Sequence, residues 1–289
     1  MLSVPVEQER AESLATWSQV TTSIQAGDRG FAVRLRELWQ FRELLYFLAW
    51  RDVKVRYTQT LLGVFWAILQ PLLTMLLFAV FFGRLAHVPS GGKPYAVFAY
   101  AGLLPWIFFS SAVTSGAESL ISNPDLIKKV YVPRLLIPGA AVLATTVDFA
   151  IALVLMVPLM MYSGIRIPAT IVLAPLLIVV MVLLALAVGS LFAALNVEYR
   201  DVRHALPFFI QLWLFVSPVI YPSSMVPPRW RPLLMLNPLT GIIEAFRASW
   251  FGTPIPWREL SVSAGLTLVL LVVAVASFRR METSFVDEI

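Results

Sequence analysis

The sequence predicts an all-α polytopic membrane protein with six transmembrane helices, an N-terminal amphipathic interface helix and a re-entrant helical hairpin on the periplasmic side. Composition favours the membrane class. Hydrophobic residues make up 59% of the 289 positions and the mean hydropathy is +0.80. Charged residues make up 13%, against about 25% in ordinary soluble domains. A soluble fold of this length cannot bury so much apolar surface, whereas a bilayer covers it.

Six long apolar runs predict the six spans. Each approaches or exceeds the ~20 residues that a helix needs to cross ~30 Å of hydrocarbon. Their apolar residues are continuous rather than alternating, which favours helices over a β-barrel. The single charged side chain within these runs is Asp148. The runs are residues 61–82, 95–117, 135–162, 168–196, 205–226 and 260–278, within a transmembrane domain over residues 61–278.

The chain before the first run divides into two parts. Residues 1–33 are a polar tail without the apolar segment of a signal peptide, so we expect the N-terminus to stay in the cytoplasm. Residues 34–60 are predicted to form an interface helix and a connector. Arg36, Gln40 and Glu43 share one helical face there, which suits a helix lying in the membrane interface.

The basic residues predict the orientation. With the N-terminus inside, the inner segments hold fifteen Lys and Arg residues and the outer segments hold seven. Because Lys and Arg accumulate in cytoplasmic loops, both termini are predicted to be cytoplasmic, including a C-terminal tail at residues 279–289. The net charge of +5 is spread over several loops, so no nucleic-acid partner is expected.

A seventh apolar stretch, residues 232–243, is too short to span the membrane. It contains Asn237–Pro238 and predicts a re-entrant gate hairpin over residues 222–256. Interrupted backbone at membrane depth is tolerated only when it is buried in protein or lines a cavity. An ordinary amphipathic loop is the alternative for this stretch. Glu244 and Arg247 follow it, and the alternative for them is that they mark an exposed turn. If the hairpin forms a gate, these two residues can pair at i, i+3 spacing; the candidate gate residues are Asn237, Pro238, Glu244 and Arg247.

Several kinds of chemistry are missing from the sequence. The chain has no cysteine and two histidines, His87 and His204, which fall on opposite sides of the membrane in the predicted topology. No catalytic residue and no metal site are therefore predicted. Lys93 follows two glycines but precedes Pro94, which does not fit a Walker A loop. Any work driven by ATP then requires a partner protein that binds ATP and Mg.

Asp148 is the one carboxylate well inside a predicted span. An ionisable group at this depth is a functional candidate by default. No basic partner is visible within the spans, so we favour a structural residue that is protonated or hydrogen-bonded close to Thr145 and Thr146.

Three cytoplasmic segments combine charge with predicted short structure. They are residues 50–57, 121–134 and 196–203. In the second, Asn123–Pro124 predicts the start of a short helix that Pro133 ends. Any one of them alone is typical of a positive-inside loop, but the three together indicate docking surfaces for a cytoplasmic protein. The candidate ATPase-coupling residues are Arg51, Asp52, Lys54, Arg56, Asn123, Pro124, Asp125, Leu126, Lys128, Lys129, Tyr199, Arg200 and Asp201.

Four runs along the chain carry a resemblance to a known family. They are WRDVKVRYTQTLLGVFWAILQPLL, LISNPDLIKKVYVPRLLIP, NVEYRDVRHALPFFIQLWLFVSPVIY and LNPLTGIIEAFR. In this order they resemble the type-2 ABC exporter permeases, and more narrowly those that export lipid-linked polysaccharide such as O-antigen, capsule or teichoic acid. The resemblance covers nearly all of residues 35–285.

This resemblance implies a homodimer of six-span permeases in the bacterial inner membrane, each bound to one cytoplasmic ATPase subunit. ATP and Mg then bind to the partner subunit, and this chain carries no cofactor of its own. The segment at residues 121–134 corresponds to the family's coupling helix, the amino-terminal helix to its interface helix, and the third outer loop to its paired periplasmic gate helices. Residues 1–30 lie outside the resemblance.

An exporter of sugar chains requires a path whose walls let the chain slide. Aromatic rings suit this purpose because sugar C–H faces stack on them weakly. The candidate channel residues are Tyr46, Phe47, Trp50, Phe65, Trp66 and Phe78. The alternative for each of them is contact with lipid or packing in the core.

Two other functions remain open from the sequence. The first is a drug or small-lipid efflux permease of the same superfamily, which the sequence separates less well. The second is a polytopic membrane enzyme acting on polyprenyl-linked sugars. The scarcity of intramembrane charge disfavours the enzyme, because such chemistry requires charged groups facing the head group.

Overall fold

The computed structural model describes residues 40–58, 63–129, 133–199 and 201–281. The predicted tail at residues 1–33, the coupling candidate Arg200 and most of the C-terminal tail lie outside this part of the chain. Helices and turns make up the described residues, which confirms the predicted all-α class.

Ten α-helices follow one another along the described chain. Their bounds are α1 Arg42–Thr58, α2 Phe65–Phe78, α3 Tyr95–Glu118, α4 Pro124–Lys129, α5 Leu136–Tyr162, α6 Ala174–Glu198, α7 Val202–Val216, α8 Arg231–Met235, α9 Pro238–Phe251 and α10 Trp257–Met281. A π-helical segment, Ala79–Leu85, continues α2, and 3-10 helices occur at Ala169–Leu173 and Ser223–Met225.

Five helical segments of the described chain are long and apolar enough to cross a membrane, so the chain is a multi-pass membrane protein. They are Phe65–Leu85, Tyr95–Glu118, Leu136–Tyr162, Ala169–Glu198 and Trp257–Phe278. Each overlaps one of the predicted runs.

The predicted span at residues 205–226 differs from the observed helix. The helix α7 ends at Val216, and turns follow from Ser217 onward. The cause is Pro218, because the residue before a proline avoids the helical region and a proline has no N–H to continue the helix. Ser217 is extended at ψ 145°, and its hydroxyl donates to the Trp213 carbonyl at 2.8 Å. The six-span count therefore stays a prediction.

The helix α3 lies at the centre of the fold and is buried along most of its length, whereas α2 is largely exposed. Small residues allow α3 and α6 to approach closely. A Cβ placed on Gly116 would lie 3.3 Å from Gly189 Cα, so the two backbones nearly touch at this crossing. Small side chains at such crossings are typical of helix packing in membranes, where close contact replaces the hydrophobic effect.

The segment at residues 232–243 forms the end of α8 and the start of α9. Asn237 caps α9 by accepting from Leu239 N at 3.1 Å, and Pro238 occupies the first helical position. Gly252 ends α9 in the left-handed region at φ 66°. Most residues of α9 are buried. The depth of this helix pair in the membrane stays a prediction.

Candidate functional site

Asp148 has a basic partner in the structure, which comes from outside the predicted spans. Arg56, from the end of α1, forms an ion pair with the Asp148 carboxylate on α5. Tyr57 donates a hydrogen bond to the other carboxylate oxygen. This partner could not be predicted from the sequence, because Arg56 precedes the spans and reaches Asp148 only through the packing of α1 on α5.

Burial raises the pKa of the Tyr57 phenol above its ordinary value of 10, and the hydrogen bond to Asp148 adds to this shift. Tyr57 therefore stays protonated at physiological pH and remains a hydrogen-bond donor. The Arg56 and Asp148 side chains are each about one-third exposed. We name Arg56, Tyr57 and Asp148 the ionic cluster.

The ionic cluster borders a cavity of about 630 Å³ between α1, α2, α3, α5 and α7. Nine of the residues that line it carry polar side chains, although most of the lining surface is apolar. The polar lining comes from α1 (Arg56, Tyr57), α2 (Gln70), α3 (Ser110, Ser111, Thr114, Ser115) and α5 (Thr145, Asp148). Trp66, Phe108, Phe149 and Ile210 contribute apolar surface.

A row of hydroxyl side chains on α3, the hydroxyl row, was not identified from the sequence. Ser110, Ser111, Thr114 and Ser115 recur at i, i+1, i+4 and i+5, which places them on one helical face. Polar residues repeated at helical spacing inside an apolar run are the signal that would have found them.

Most of the predicted channel aromatics lie on exposed surface. Tyr46, Phe47 and Trp50 on α1 and Phe65 on α2 are more than half exposed, while Trp66 lines the cavity. Phe78 packs against the core and meets Phe82 edge-on, with ring centroids 5.4 Å apart. A role in lining a channel stays a prediction for all six of these aromatic residues.

The structure brings the three predicted coupling segments to one end of the fold. Arg51 on α1 pairs with Asp52 and donates to Asn123 Oδ1, both at 2.9 Å. Asn196, near the end of α6, donates to the Ala117 carbonyl at the end of α3 at 3.0 Å. We name this region, where α3 and α6 end and α4 begins, the coupling end.

The short helix α4 rests on a hydrophobic cluster at the coupling end. Leu126 and Ile127 turn inward and pack against this cluster, while Pro124, Asp125 and Lys128 are exposed. We name it the seating cluster; its buried members are Leu120, Ile137, Ala193, Ala194, Val197 and Phe278. Because α5, α6, α10 and the turn after α3 all contribute to it, α4 has a rigid base.

The remaining coupling candidates occupy different positions. Lys54 and Tyr199 are exposed, and Asp201 is an exposed residue at the start of α7. For Lys129 the structure describes the backbone at the end of α4. Arg56 faces the cavity rather than the surface of α4, through its contact with Asp148. Contact with an ATPase stays a prediction for all of these residues.

Asn237 joins α7, the following turn and α9. Its Oδ1 accepts from Trp213 Nε1 at 3.0 Å, and its Nδ2 donates to Ser217 Oγ at 2.8 Å. The neighbouring Thr240 hydroxyl donates to the Leu234 carbonyl of α8 at 2.7 Å. These bonds fix the angle at which α8, α9 and the end of α7 meet.

Arg247 is buried, with 3% of its surface exposed, so the alternative in which it marks an exposed turn is wrong. Its guanidinium donates to the carbonyls of Pro218 at 2.7 Å, of Val219, and of Tyr221 at 3.5 Å. It also lies 4.0 Å above the Phe98 ring centroid. Arg247 therefore holds the turn after α7 against α3 and α9.

The expected pairing of Glu244 with Arg247 is present, with 3.6 Å between Oε1 and Nη1. The same Glu244 oxygen accepts from the backbone N–H of Ser223 at 2.9 Å. Together, the two side chains therefore hold the segment that links α7 to α8 at more than one point. Whether this segment acts as a gate stays a prediction.

Among the residues that the structure describes, no three His, Asp or Glu side chains come together as a possible metal site.

The family model described as "ABC-2 type transporter" matches residues 43–251. The "O-antigen export system permease protein RfbA" of Myxococcus xanthus is 33% identical over 258 residues, which cover 88% of this chain and 98% of that protein. The protein of the same name from Klebsiella pneumoniae is 27% identical over 85% of this chain and 94% of that protein.

The "Polysialic acid transport protein KpsM" of Escherichia coli is 26% identical over 80% of this chain and 91% of its own length. The match to the family model runs from α1 through α9. The family match and the relative from Myxococcus xanthus agree with the helical membrane fold described above. The chain therefore belongs to the ABC-2 type transporter family.

Proposed function

We propose that the chain is the permease subunit of an ABC exporter that moves lipid-linked polysaccharide, such as O-antigen-like, capsular or teichoic-acid chains, across the bacterial inner membrane from the cytoplasm. The names of the relatives, which cover 80% or more of this chain, support the polysaccharide class. Membership in the family implies an ATPase partner subunit.

The observation that carries the proposal is the seating of α4. Leu126 and Ile127 anchor it to the seating cluster, and Asp125 and Lys128 remain on its exposed side. A short helix on a rigid base can transmit a push to the membrane helices, because packed helices move as bodies. In this proposal the coupling end faces the cytoplasm and meets the ATPase, both termini are cytoplasmic, and ATP and Mg bind to the partner.

A second copy of the chain completes the proposed exporter. Exposed apolar side chains cover the outer surfaces of α2 and α7, and both helices border the cavity. On α7 these side chains are Phe208, Phe209, Leu212 and Phe215. We assign part of this surface to contact between the two permeases and part to contact with lipid. We place the sugar path beside it.

The function is tested in cells that lack the gene. We expect a lipid-linked glycan to accumulate inside these cells, and export to return with the wild-type gene. The triple variant Asp125→Ala, Lys128→Ala, Lys129→Ala should insert normally but fail to restore export. Arg258→Ala, an exposed change at the start of α10, should restore it. Normal glycan export without the gene, together with increased sensitivity to drugs, would instead support efflux.

A further inference from the structure

We propose that the cavity beside the ionic cluster is a binding subsite for uncharged sugar units of the transported chain. The inference rests on the proposed function and adds to it a class of sugar and a place within a single subunit. The volume of about 630 Å³ falls within the ~300–1,000 Å³ of typical small-molecule sites, so a short oligosaccharide fits.

The cavity offers a mixture of hydrogen-bond donors and acceptors. Each sugar hydroxyl both donates and accepts, so a sugar site requires both kinds of partner in one place. Gln70 supplies an amide that does both, Arg56 supplies donors, and Asp148 supplies acceptors. A cavity that held only lipid tails would not need these polar groups, which are costly inside a membrane.

The hydroxyl row supplies hydrogen-bond acceptors to the cavity. Ser110 donates to the Ile107 carbonyl at 3.0 Å, and Thr114 donates to the Ser110 carbonyl at 2.8 Å. Thr145, on the opposite wall, donates to the Val142 carbonyl at 2.7 Å. Because these protons are held by the backbone, the oxygens of the half-buried Ser110 and Thr114 remain as acceptors for the O–H groups of a ligand, whereas Thr145 is 1% exposed.

Aromatic side chains line part of the cavity. Trp66 lines the cavity on α2, and Phe108 and Phe149 line it from α3 and α5, with ring centroids 5.2 Å apart. Sugar rings carry apolar C–H faces between their hydroxyls, so a platform beside polar groups matches both parts of the ring. Trp66 is half exposed and can therefore be reached by a ligand.

The ionic cluster determines which charge of sugar the cavity accepts. The positive charge of Arg56 and the negative charge of Asp148 neutralise each other within the cavity. An acidic sugar would have to displace Asp148 from Arg56, and its carboxylate would then face the Asp148 carboxylate. The repulsion between these two carboxylates opposes binding, so the geometry favours uncharged sugars over acidic ones.

The experiment uses the permease together with its ATPase in lipid nanodiscs. The natural chain has no cysteine, so Ser111→Cys places a single thiol in the cavity. Its reaction with a water-soluble maleimide is followed with lactose, maltose, mannobiose or chitobiose present. A disaccharide at a concentration of about twice its Kd occupies about two-thirds of the sites, so the thiol reacts about threefold more slowly. Ser122→Cys, exposed beyond the end of α3, is the matched control.

We expect at least one uncharged disaccharide to protect Ser111→Cys but not Ser122→Cys, and sialyllactose to protect less than lactose. In the Ser111→Cys background, Trp66→Ala should abolish the protection and Trp66→Phe should keep most of it. Protection by none of the four disaccharides, equal slowing at both thiols, or equal protection by sialyllactose and lactose would overturn the proposal.

Transport of lipid-linked glycan is measured separately in vesicles with the wild-type complex. Protection without transport would leave the sugar subsite standing and overturn the proposed function. Transport without protection would overturn the subsite alone.

Discussion

Arg56 on α1 and Asp148 on α5 form an ion pair that joins the helix before the first span to the interior of the fold. The two residues are 92 positions apart in the chain. Their contact explains how a carboxylate is accommodated within an apolar span, since a charged partner and the Tyr57 hydroxyl satisfy it.

The first prediction concerns this pair. Asp148→Asn and Arg56→Gln should each destabilise the detergent-purified permease, because each leaves a half-buried charge without its partner. The double variant should lose less than the sum of the single variants, by a coupling energy of roughly 0.5–3 kcal/mol. Equilibrium unfolding of the wild type, the two single variants and the double variant gives this coupling energy. Additive losses would show that the ion pair contributes nothing to stability.

The second prediction concerns Arg247. Arg247→Met should free the turn after α7, because the carbonyls of Pro218 and Val219 lose charged donors worth about 1.5–3 kcal/mol each. Trypsin should then cut faster after Arg229, which lies in the loop before α8.

Arg258→Met is the matched control for this change, since Arg258 is exposed. Arg247→Lys should fall between the wild type and Arg247→Met, because a lysine keeps the charge but cannot reach several carbonyls at once. Equal cleavage rates for Arg247→Met and Arg258→Met would refute the anchoring role.

The third prediction uses two glycines as a pair. A Cβ on Gly241 would overlap the Glu259 carbonyl and lie 2.6 Å from Ser263 Oγ, so Gly241→Ala should force α9 away from α10. We expect a loss of about 1–3 kcal/mol in the free energy of unfolding. Gly265→Ala, where a Cβ meets nothing within 4 Å, should be neutral or stabilising by up to about 1 kcal/mol. Similar stabilities for the two variants would contradict the close packing of α9 on α10.

The fourth prediction concerns coupling through α4. Asp125→Ala, Lys128→Ala and Lys129→Ala combined should lower the ATPase activity that the glycan substrate stimulates, while the complex still inserts and folds. Leu126→Met, which preserves the volume of a side chain on the seating cluster, should retain most of the stimulation. Full stimulation in the triple variant would show that these residues do not carry the coupling.

The helical membrane fold could be predicted from the sequence because long uncharged runs have few other solutions in a lipid environment. The start of α9 was also predictable, since Asn237–Pro238 combines a capping side chain with a proline at the first position. The end of α7 was less accessible, because residues 217–226 are apolar enough to pass as a continuation of the span. Pro218 was the available signal, and it marks the place where the helix stops.

The site was only partly predictable for a physical reason. The Asn123–Pro124 start signal and the i, i+3 spacing of Glu244 and Arg247 identified residues of interest, but a pattern does not show which distant groups they meet. Arg56 could not be assigned to Asp148, nor Arg247 to the carbonyls after α7, because these contacts depend on the packing of helices far apart in sequence. The cavity was likewise invisible, since five helices contribute to its walls.

The central claim is that this chain moves a lipid-linked glycan with energy supplied by a separate ATPase. The most direct measurement reconstitutes the permease and its ATPase in vesicles and follows the lipid-linked glycan from one leaflet to the other. We predict movement that requires ATP, Mg and both proteins, and that stops in the Asp125, Lys128 and Lys129 triple variant. Glycan movement without the ATPase subunit, or none with the complete system and ATP, would contradict the account.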